Sequence, residues 1–216
     1  MAGSNLDKLK KYIDSYIGLP YWSNKFENGP FGGKGTSAQI RKITQKTKSN
    51  KQIDLYRFQK KHHIGIDCSG LAYHLLNYWY KLHTGKSVKT KIIGTQGKFG
   101  PRRVNVHMLT DPRNSIKINN SSDIKTADLI VLDGQKHVLF IIEKTKDKIY
   151  YVHSSQKTQK TGVHYGTITI INPGKSLNHQ QFSDLTKTNI TYQNLFKSTQ
   201  GDGIYRLISL QSIPHT

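Results

Sequence analysis

The stretch IDCSGLAYHLL at residues 66–76 contains the only cysteine of this 216-residue chain. Small and polar residues at positions 67–70 come directly before apolar residues that recur three and four positions apart. That spacing is typical of a helix with one buried face. Asp or Ser just ahead of it marks a helix start, because the side-chain oxygen accepts a hydrogen bond from an unpaired backbone N–H. The sequence therefore predicts a helix over residues 67–82 with Cys68 at its N-terminus.

Cys68 is a candidate nucleophile because of this position. The partial positive charge of a helix N-terminus favours the thiolate, which is the nucleophilic form of cysteine. The alternative is that Cys68 is a small buried hydrophobic residue, as a lone free cysteine commonly is. A single cysteine also excludes an internal disulfide and a cysteine-based zinc site. Neither a cofactor nor a metal is expected.

The charge of the chain is its most unusual bulk property. It has 33 Lys and Arg residues against 13 Asp and Glu, a formal net charge of +20. This indicates an anionic partner, such as nucleic acid, an acidic membrane or the anionic polymers of a bacterial envelope; the alternative is a lysine-rich surface that serves solubility. The basic residues are spread out, and no RNA-binding signature, zinc pattern or basic zipper is present, which disfavours nucleic acid.

The sequence carries no sign of a membrane span, since no stretch approaches the roughly 18 consecutive apolar residues that a bilayer requires. No signal peptide is visible either, and the first four residues, MAGS, are typical of a cloning remnant. We therefore expect a secreted or cell-envelope protein whose leader has been removed. A cytoplasmic protein, or one delivered by a phage or as an effector, is the alternative.

The order of the predicted elements indicates the fold class. Helices are predicted at residues 5–17, 40–43, 53–58, 67–82 and 104–109. Strands are predicted at residues 129–132, 137–143, 148–154, 166–171 and 203–210. Helices followed by strands with short connections predict one α+β domain, residues 1–216, around an antiparallel sheet. The strongly basic segment within residues 24–61 is interpreted as an insertion or lid rather than core.

Two of the ten histidines have positions that suit catalysis. A cysteine nucleophile needs a base to take its proton, and that base needs a third group to orient it. His137 opens the strand HVLFII, and His153 ends the next strand, IYYVHSS, where it would lie beside His137 on the antiparallel ladder. The remaining histidines are assigned to packing or to the surface: His62, His63, His74, His83, His107, His164, His179 and His215.

The order of five short motifs resembles the NlpC-type cysteine peptidases, papain-like enzymes that cleave peptidoglycan stem peptides. The motifs are LPYW at 19–22, DCSGL at 67–71, ADLIVL at 127–132, HVLFII at 137–142 and VHSS at 152–155. The resemblance implies a papain-like fold, with N-terminal helices and the nucleophile helix packed on a central antiparallel sheet. It implies Cys68 as nucleophile, His137 as general base and His153 as the residue that orients the base.

The same resemblance implies the surroundings of the nucleophile. Tyr21 matches a tyrosine that borders the active site in that family, and Asp67 and Ser69, which flank Cys68, complete the expected substrate-binding set. The backbone N–H of Cys68 would contribute to an oxyanion hole. The segment between LPYW and DCSGL is far longer than in the family, which leaves Tyr56 as a rival for the tyrosine role.

The implied activity is hydrolysis of an amide bond in peptidoglycan stem peptides, near the γ-D-glutamyl to diamino-acid linkage. Another thiol amidase or acyltransferase of the same fold is the first alternative, because this triad serves several acyl-transfer reactions. A non-catalytic module that binds cell wall or polyanions is the second. Two residues differ from the family pattern near the expected active-site cleft. Ala127 and Leu139 stand where the family usually has Gly, and their bulk would narrow the cleft.

Overall fold

The predicted nucleophile helix is the central helix of the computed structural model, α4 (Cys68–Thr84). Asp67 caps its start, where the carboxylate accepts a hydrogen bond from the Gly70 N–H at 2.6 Å. Gly85 ends it in a left-handed conformation with φ of 70°. Most of the helix is buried, so the prediction for residues 67–82 is confirmed. The structure describes residues 4–23, 29–47, 55–96 and 100–213.

Four further helices surround α4 in the described part of the chain. Their bounds are α1 (Asn5–Asp14), α2 (Ser37–Thr47), α3 (Leu55–Lys61) and α5 (Val106–Thr110). Helix α1 packs directly on α4. The bounds of all four helices agree with the predicted helices to within a few residues. None of the described helices is long and apolar enough to cross a membrane.

The basic segment contributes to the core, which corrects the interpretation of it as a lid outside the core. Ile40 on α2 is fully buried, and Phe58 on α3 is only 9% exposed. Both belong to the main hydrophobic cluster around α4. Because these two helices are rich in lysine, their composition alone does not indicate that each has a buried apolar face. Residues 24–28 and 48–54, including the predicted helix start at Ile53, lie outside the described residues.

The sheet is antiparallel throughout and has seven strands in the order β1-β7-β2-β3-β4-β5-β6. Their bounds are β1 (Ser115–Ile118), β2 (Leu129–Leu132), β3 (His137–Lys144), β4 (Lys148–Ser155), β5 (Gly162–Thr169), β6 (Gln181–Phe182) and β7 (Gly203–Leu207). The α+β class and the antiparallel sheet are therefore confirmed.

The structure corrects the predicted strands at four places. The strands β1 and β6, which lie at the two edges of the sheet, are absent from the prediction, and β6 has only two residues. Strand β5 starts four residues earlier than predicted, at Gly162, because His164 and Val163 continue the ladder with β4. The last strand ends at Leu207, and the residues after it form a 3-10 turn.

Each face of the sheet buries its own apolar layer, as strict alternation along a strand requires. On β3, Val138 and Phe140 belong to the cluster around α4, whereas Leu139 and Ile141 belong to a second cluster on the other face. Helix α4 lies across β3 and β4, so its N-terminus meets the start of β3. The fold therefore brings Cys68 to the strand that begins with His137.

Candidate active site

Cys68 is the first residue of α4 and its side chain lies against the start of β3. Backbone N–H groups of Val138 and Ser69 donate towards its sulfur. The backbone N–H of Cys68 itself has no hydrogen-bond partner among the described residues, as is usual in the first turn of a helix. Cys68 thus offers a sulfur atom and an unused N–H donor at one point.

A cleft of about 560 Å³ opens onto Cys68 and His137. Tyr21, Asp67 and Ser69 also line it, so five of the seven residues singled out in the sequence meet there. Tyr56 does not line it: its hydroxyl lies 2.6 Å from the Thr161 hydroxyl. The structure therefore brings Tyr21, and not Tyr56, to the nucleophile.

Ala127 and Leu139 do not narrow this cleft, contrary to expectation. Leu139 is fully buried in the second apolar cluster, and Ala127 is fully buried in the main one. Ala127 has φ of 71°, the left-handed region that favours glycine. The backbone at this point thus has a conformation that glycine would adopt without strain.

Asp67 and Ser69 have their side chains engaged by a buried lysine. Lys34 Nζ lies 2.6 Å from each Asp67 carboxylate oxygen and 2.6 Å from Ser69 Oγ. The Asp67 carboxylate also caps α4, and burial raises its pKa although Lys34 acts in the opposite direction. These contacts fix the start of the nucleophile helix, a role that the sequence did not assign to Lys34.

We expect Lys34→Met to destabilise the fold by about 3–5 kcal/mol, because it would leave the Asp67 carboxylate buried and unpaired. The Lys34–Asp67 pair has side chains only 6% and 9% exposed. A matched control is Lys10→Met, which breaks the Lys10–Glu143 pair at 45% and 37% exposure and should cost less than about 1 kcal/mol. Urea unfolding followed by circular dichroism measures both. Equal, small effects would contradict a structural role for Lys34.

The two predicted histidines lie in direct contact. His137 Nε2 is 2.8 Å from His153 Nδ1, across the β3–β4 ladder. His153 Nε2 in turn lies 3.0 Å from a carboxylate oxygen of Asp184. Asp184 follows β6, in a region where the sequence predicts neither a helix nor a strand. The relay therefore has a fourth member, Asp184, that sequence reasoning missed.

This relay fixes which ring nitrogens carry protons. The Asp184 carboxylate can only accept, so it selects the His153 tautomer with hydrogen on Nε2. The unprotonated Nδ1 of His153 then accepts from His137 Nε2–H. His137 is left with a lone pair on Nδ1, the ring nitrogen that is not engaged with His153, and a general base requires such a lone pair. One carboxylate thus sets the tautomers of both rings.

The electrostatics of the relay favour neutral imidazoles beside an ionised carboxylate. Burial lowers the pKa of His137 well below its usual value, and His153 and Lys157 lower it further. Burial also lowers the pKa of His153. Burial would raise the pKa of Asp184, but hydrogen bonds from His153 and Tyr151 and the proximity of His164 outweigh it and hold that pKa well below its ordinary value.

Tyr192 and Tyr151 complete the surroundings of the two rings. The Tyr192 ring packs edge-on against His137 and His153, with centroid distances of 5.8 and 5.5 Å, and it also lines the cleft. The Tyr151 hydroxyl donates to Asp184 at 2.6 Å. These contacts hold the relay in place. Neither tyrosine has a local sequence pattern that marks it, because both reach the site through long-range packing.

The thiol of Cys68 does not rest as the thiolate that the sequence predicted. Burial raises its pKa to about 11, and the neighbouring Asp67 carboxylate acts in the same direction. Lys34 and the donating N–H groups lower it, but by less. The expectation was wrong because a helix start alone does not reveal how deeply the sulfur is buried. The resting pair is a neutral thiol beside a neutral imidazole.

We therefore expect iodoacetamide to alkylate Cys68 slowly at pH 7, with a rate that rises about tenfold per pH unit up to pH 9. Below a thiol pKa of about 11, the reactive thiolate fraction increases in that proportion. The same profile in His137→Ala is the control, since neutral His137 does not stabilise a resting thiolate. A plateau below pH 7 that the substitution removes would instead identify a thiolate–imidazolium pair.

Comparisons of the chain with protein-family models, with curated proteins and with solved structures found no match. The resemblance to NlpC-type peptidases therefore rests on the short motifs of the sequence.

Proposed function

We propose that this chain is a cysteine hydrolase that cleaves amide bonds in peptidoglycan stem peptides, as a single papain-like catalytic domain. Cys68 is its nucleophile, His137 its general base, and His153 and Asp184 position that base. One observation carries the proposal: the hydrogen bonds from Asp184 through His153 end at His137 with a lone pair on Nδ1, in the cleft that also contains Cys68.

The proposed reaction begins with the neutral pair. His137 Nδ1 takes the thiol proton of Cys68 while the sulfur bonds to the substrate carbonyl carbon. The carbonyl oxygen becomes an oxyanion, to which the free Cys68 N–H donates. The C–N bond then breaks, and the proton on His137 passes to the leaving amine. Water, deprotonated by His137, hydrolyses the thioester and restores the thiol.

The charges around the cleft favour an anionic substrate. Lys34 and Lys157 are neutralised there by Asp67 and Asp133, at 2.6 Å in each case. Two further cations of the cleft lining, Arg102 and Lys136, have no acidic partner among the described residues.

A γ-linked glutamyl residue keeps a free α-carboxylate, which a cationic cleft would attract. The net charge of +20 would also favour retention at the anionic polymers of a cell wall. Both properties fit a secreted or envelope-bound enzyme whose substrate is the wall itself. The choice of peptidoglycan comes from the motif resemblance, and the charges agree with it.

The experiment is digestion of purified peptidoglycan, with the released fragments identified by mass spectrometry. Cleavage between the γ-D-glutamyl residue and the diamino acid is the expected result. New amide cleavage at another position would favour the related thiol amidase. Wall binding that high salt abolishes, without any released fragment, would favour the non-catalytic polyanion-binding module that the net charge alone would explain.

A further inference from the structure

Three potential ligand groups converge at the Asp184 end of the catalytic relay. His153 Nε2 lies 2.9 Å from His164 Nε2 and 3.0 Å from Asp184 Oδ2. His164 Nε2 lies 3.4 Å from Asp184 Oδ1. All three residues are buried, and their ligand atoms lie within 4.8 Å of one another. The register of the sheet causes this, because His164 on β5 pairs directly with His153 on β4.

Where these three side chains meet, they present more lone pairs than N–H groups. His164 Nδ1 donates to the Gly162 carbonyl at 3.0 Å, and with that ring proton on Nδ1 the lone pair of Nε2 points to the cluster. Asp184 presents lone pairs as well. The single proton on His153 Nε2 therefore faces two acceptors at about equal distance. A cation in its place would satisfy all three groups together.

The distances and the supporting contacts suit a transition-metal ion. Zinc binds imidazole nitrogen and carboxylate oxygen at ~2.0–2.1 Å, which puts the atoms of a tetrahedral ligand set ~3.3 Å apart. The observed separations of 2.9, 3.0 and 3.4 Å need adjustments of a few tenths of an ångström. Metal-binding histidines usually donate their other ring N–H to a fixed acceptor. His164 does so to Gly162, and Tyr151 holds the carboxylate.

We propose that His153, His164 and Asp184 form a binding site for a divalent transition-metal ion of the zinc type. Two imidazoles and one carboxylate are a ligand set that such ions prefer. Three protein ligands leave a fourth position for water. The His164 and Asp184 side chains are 10% and 9% exposed, and neither residue lines the cleft that contains Cys68.

Occupancy of this site would switch off the base, a consequence that rests on the proposed function. A metal on His153 Nε2 requires the ring proton of His153 to lie on Nδ1. That N–H then donates to His137 Nε2, and the His137 proton must move to Nδ1. Each ring keeps one proton, so none is released. His137 loses the lone pair that would accept the thiol proton of Cys68.

The test is titration of metal-free protein with ZnCl₂ against a chromophoric chelator. Wild type and Cys68→Ala should each bind one equivalent with the same affinity, because the sulfur is not a ligand. His164→Gln should weaken binding by more than roughly tenfold, since loss of a ligand exceeds the effect of losing a supporting contact. His179→Gln, at an exposed histidine, is the matched control and should bind like wild type.

A second measurement holds even if a variant fails to fold. Wild type loaded with Co²⁺ should show visible bands of a four-coordinate ion without a thiolate-to-cobalt charge-transfer band. That band, or loss of zinc binding in Cys68→Ala, would place the ion on Cys68 and overturn the proposal, as would equal binding by wild type and His164→Gln. None of these readouts uses activity. Zinc binding without any hydrolysis of peptidoglycan would therefore count against the proposed function alone.

Discussion

Cys68→Ala is expected to abolish amide hydrolysis, lowering the rate by about 10⁶-fold, as loss of a covalent nucleophile typically does. The fold should be retained. The substitution removes one sulfur atom at a position that is 7% exposed, and it leaves the Asp67 cap and the Lys34 contacts untouched. Its free energy of unfolding should stay within about 1 kcal/mol of that of wild type. Fragment release from peptidoglycan and urea unfolding measure the two effects.

A folded Cys68→Ala protein that still releases the same fragments would exclude Cys68 as the nucleophile. Cys68 would then be a small buried residue that serves packing, which is the commonest role of a lone cysteine. If Cys68→Ala loses both its activity and its fold, Cys68→Ser separates the two effects. Serine keeps a side chain of nearly the same size in the same place.

Asp184→Asn is expected to lower kcat by roughly 10²–10⁴-fold, the range that a correctly placed general base contributes. The amide NH₂ of asparagine can donate to His153 Nε2, which selects the wrong tautomer of that ring. His153 Nδ1–H would then donate to His137 Nε2, and the proton of His137 would move to Nδ1, the nitrogen that must be unprotonated in the proposed base. KM should change less than kcat, because Asp184 does not line the cleft.

The matched control is Asp147→Asn in the turn between β3 and β4, at the opposite end of the strand from His153. Asp147 is exposed, and within the described part of the chain its carboxylate accepts a hydrogen bond from Thr145 alone. Its replacement should leave kcat and KM near the wild-type values. An Asp184→Asn protein that retained wild-type kcat would show that the carboxylate has no part in setting the tautomer of His137.

The sequence was sufficient to predict the nucleophile helix and the contact between the two histidines. Both depend on local patterns: an apolar spacing with an Asp cap for α4, and two adjacent strands for His137 and His153. Lys34 could not be predicted in the same way. Its partner Asp67 lies 33 residues away, and a lysine in a basic segment gives no sign that it will be buried.

Asp184 was beyond the reach of local patterns for a similar reason. It lies 31 residues from His153, after a strand of only two residues. His164 did have a usable signal. A strand that begins at Gly162 and pairs with β4 sets His164 opposite His153. Because the predicted strand begins at residue 166, it leaves out His164, which is one of the proposed metal ligands.

The charge state of Cys68 illustrates a different limit. The sequence places Cys68 at a helix N-terminus, where the helix dipole favours a thiolate. It does not show how far burial removes the sulfur from water. In the folded protein, burial and the Asp67 carboxylate outweigh the donating N–H groups and raise the thiol pKa to about 11. A nucleophile can therefore be located from its motif, while its resting protonation depends on packing contributed by the whole chain.

The most direct test of the relay is a nuclear magnetic resonance measurement of its histidine tautomers. Long-range ¹H–¹⁵N correlation spectra of ¹⁵N-histidine-labelled, metal-free protein at pH 7 should show His137 and His153 neutral, each with its proton on Nε2. That result would leave His137 Nδ1 unprotonated and able to take the proton of Cys68. A proton on His137 Nδ1, or an imidazolium ring at this position, would contradict the account.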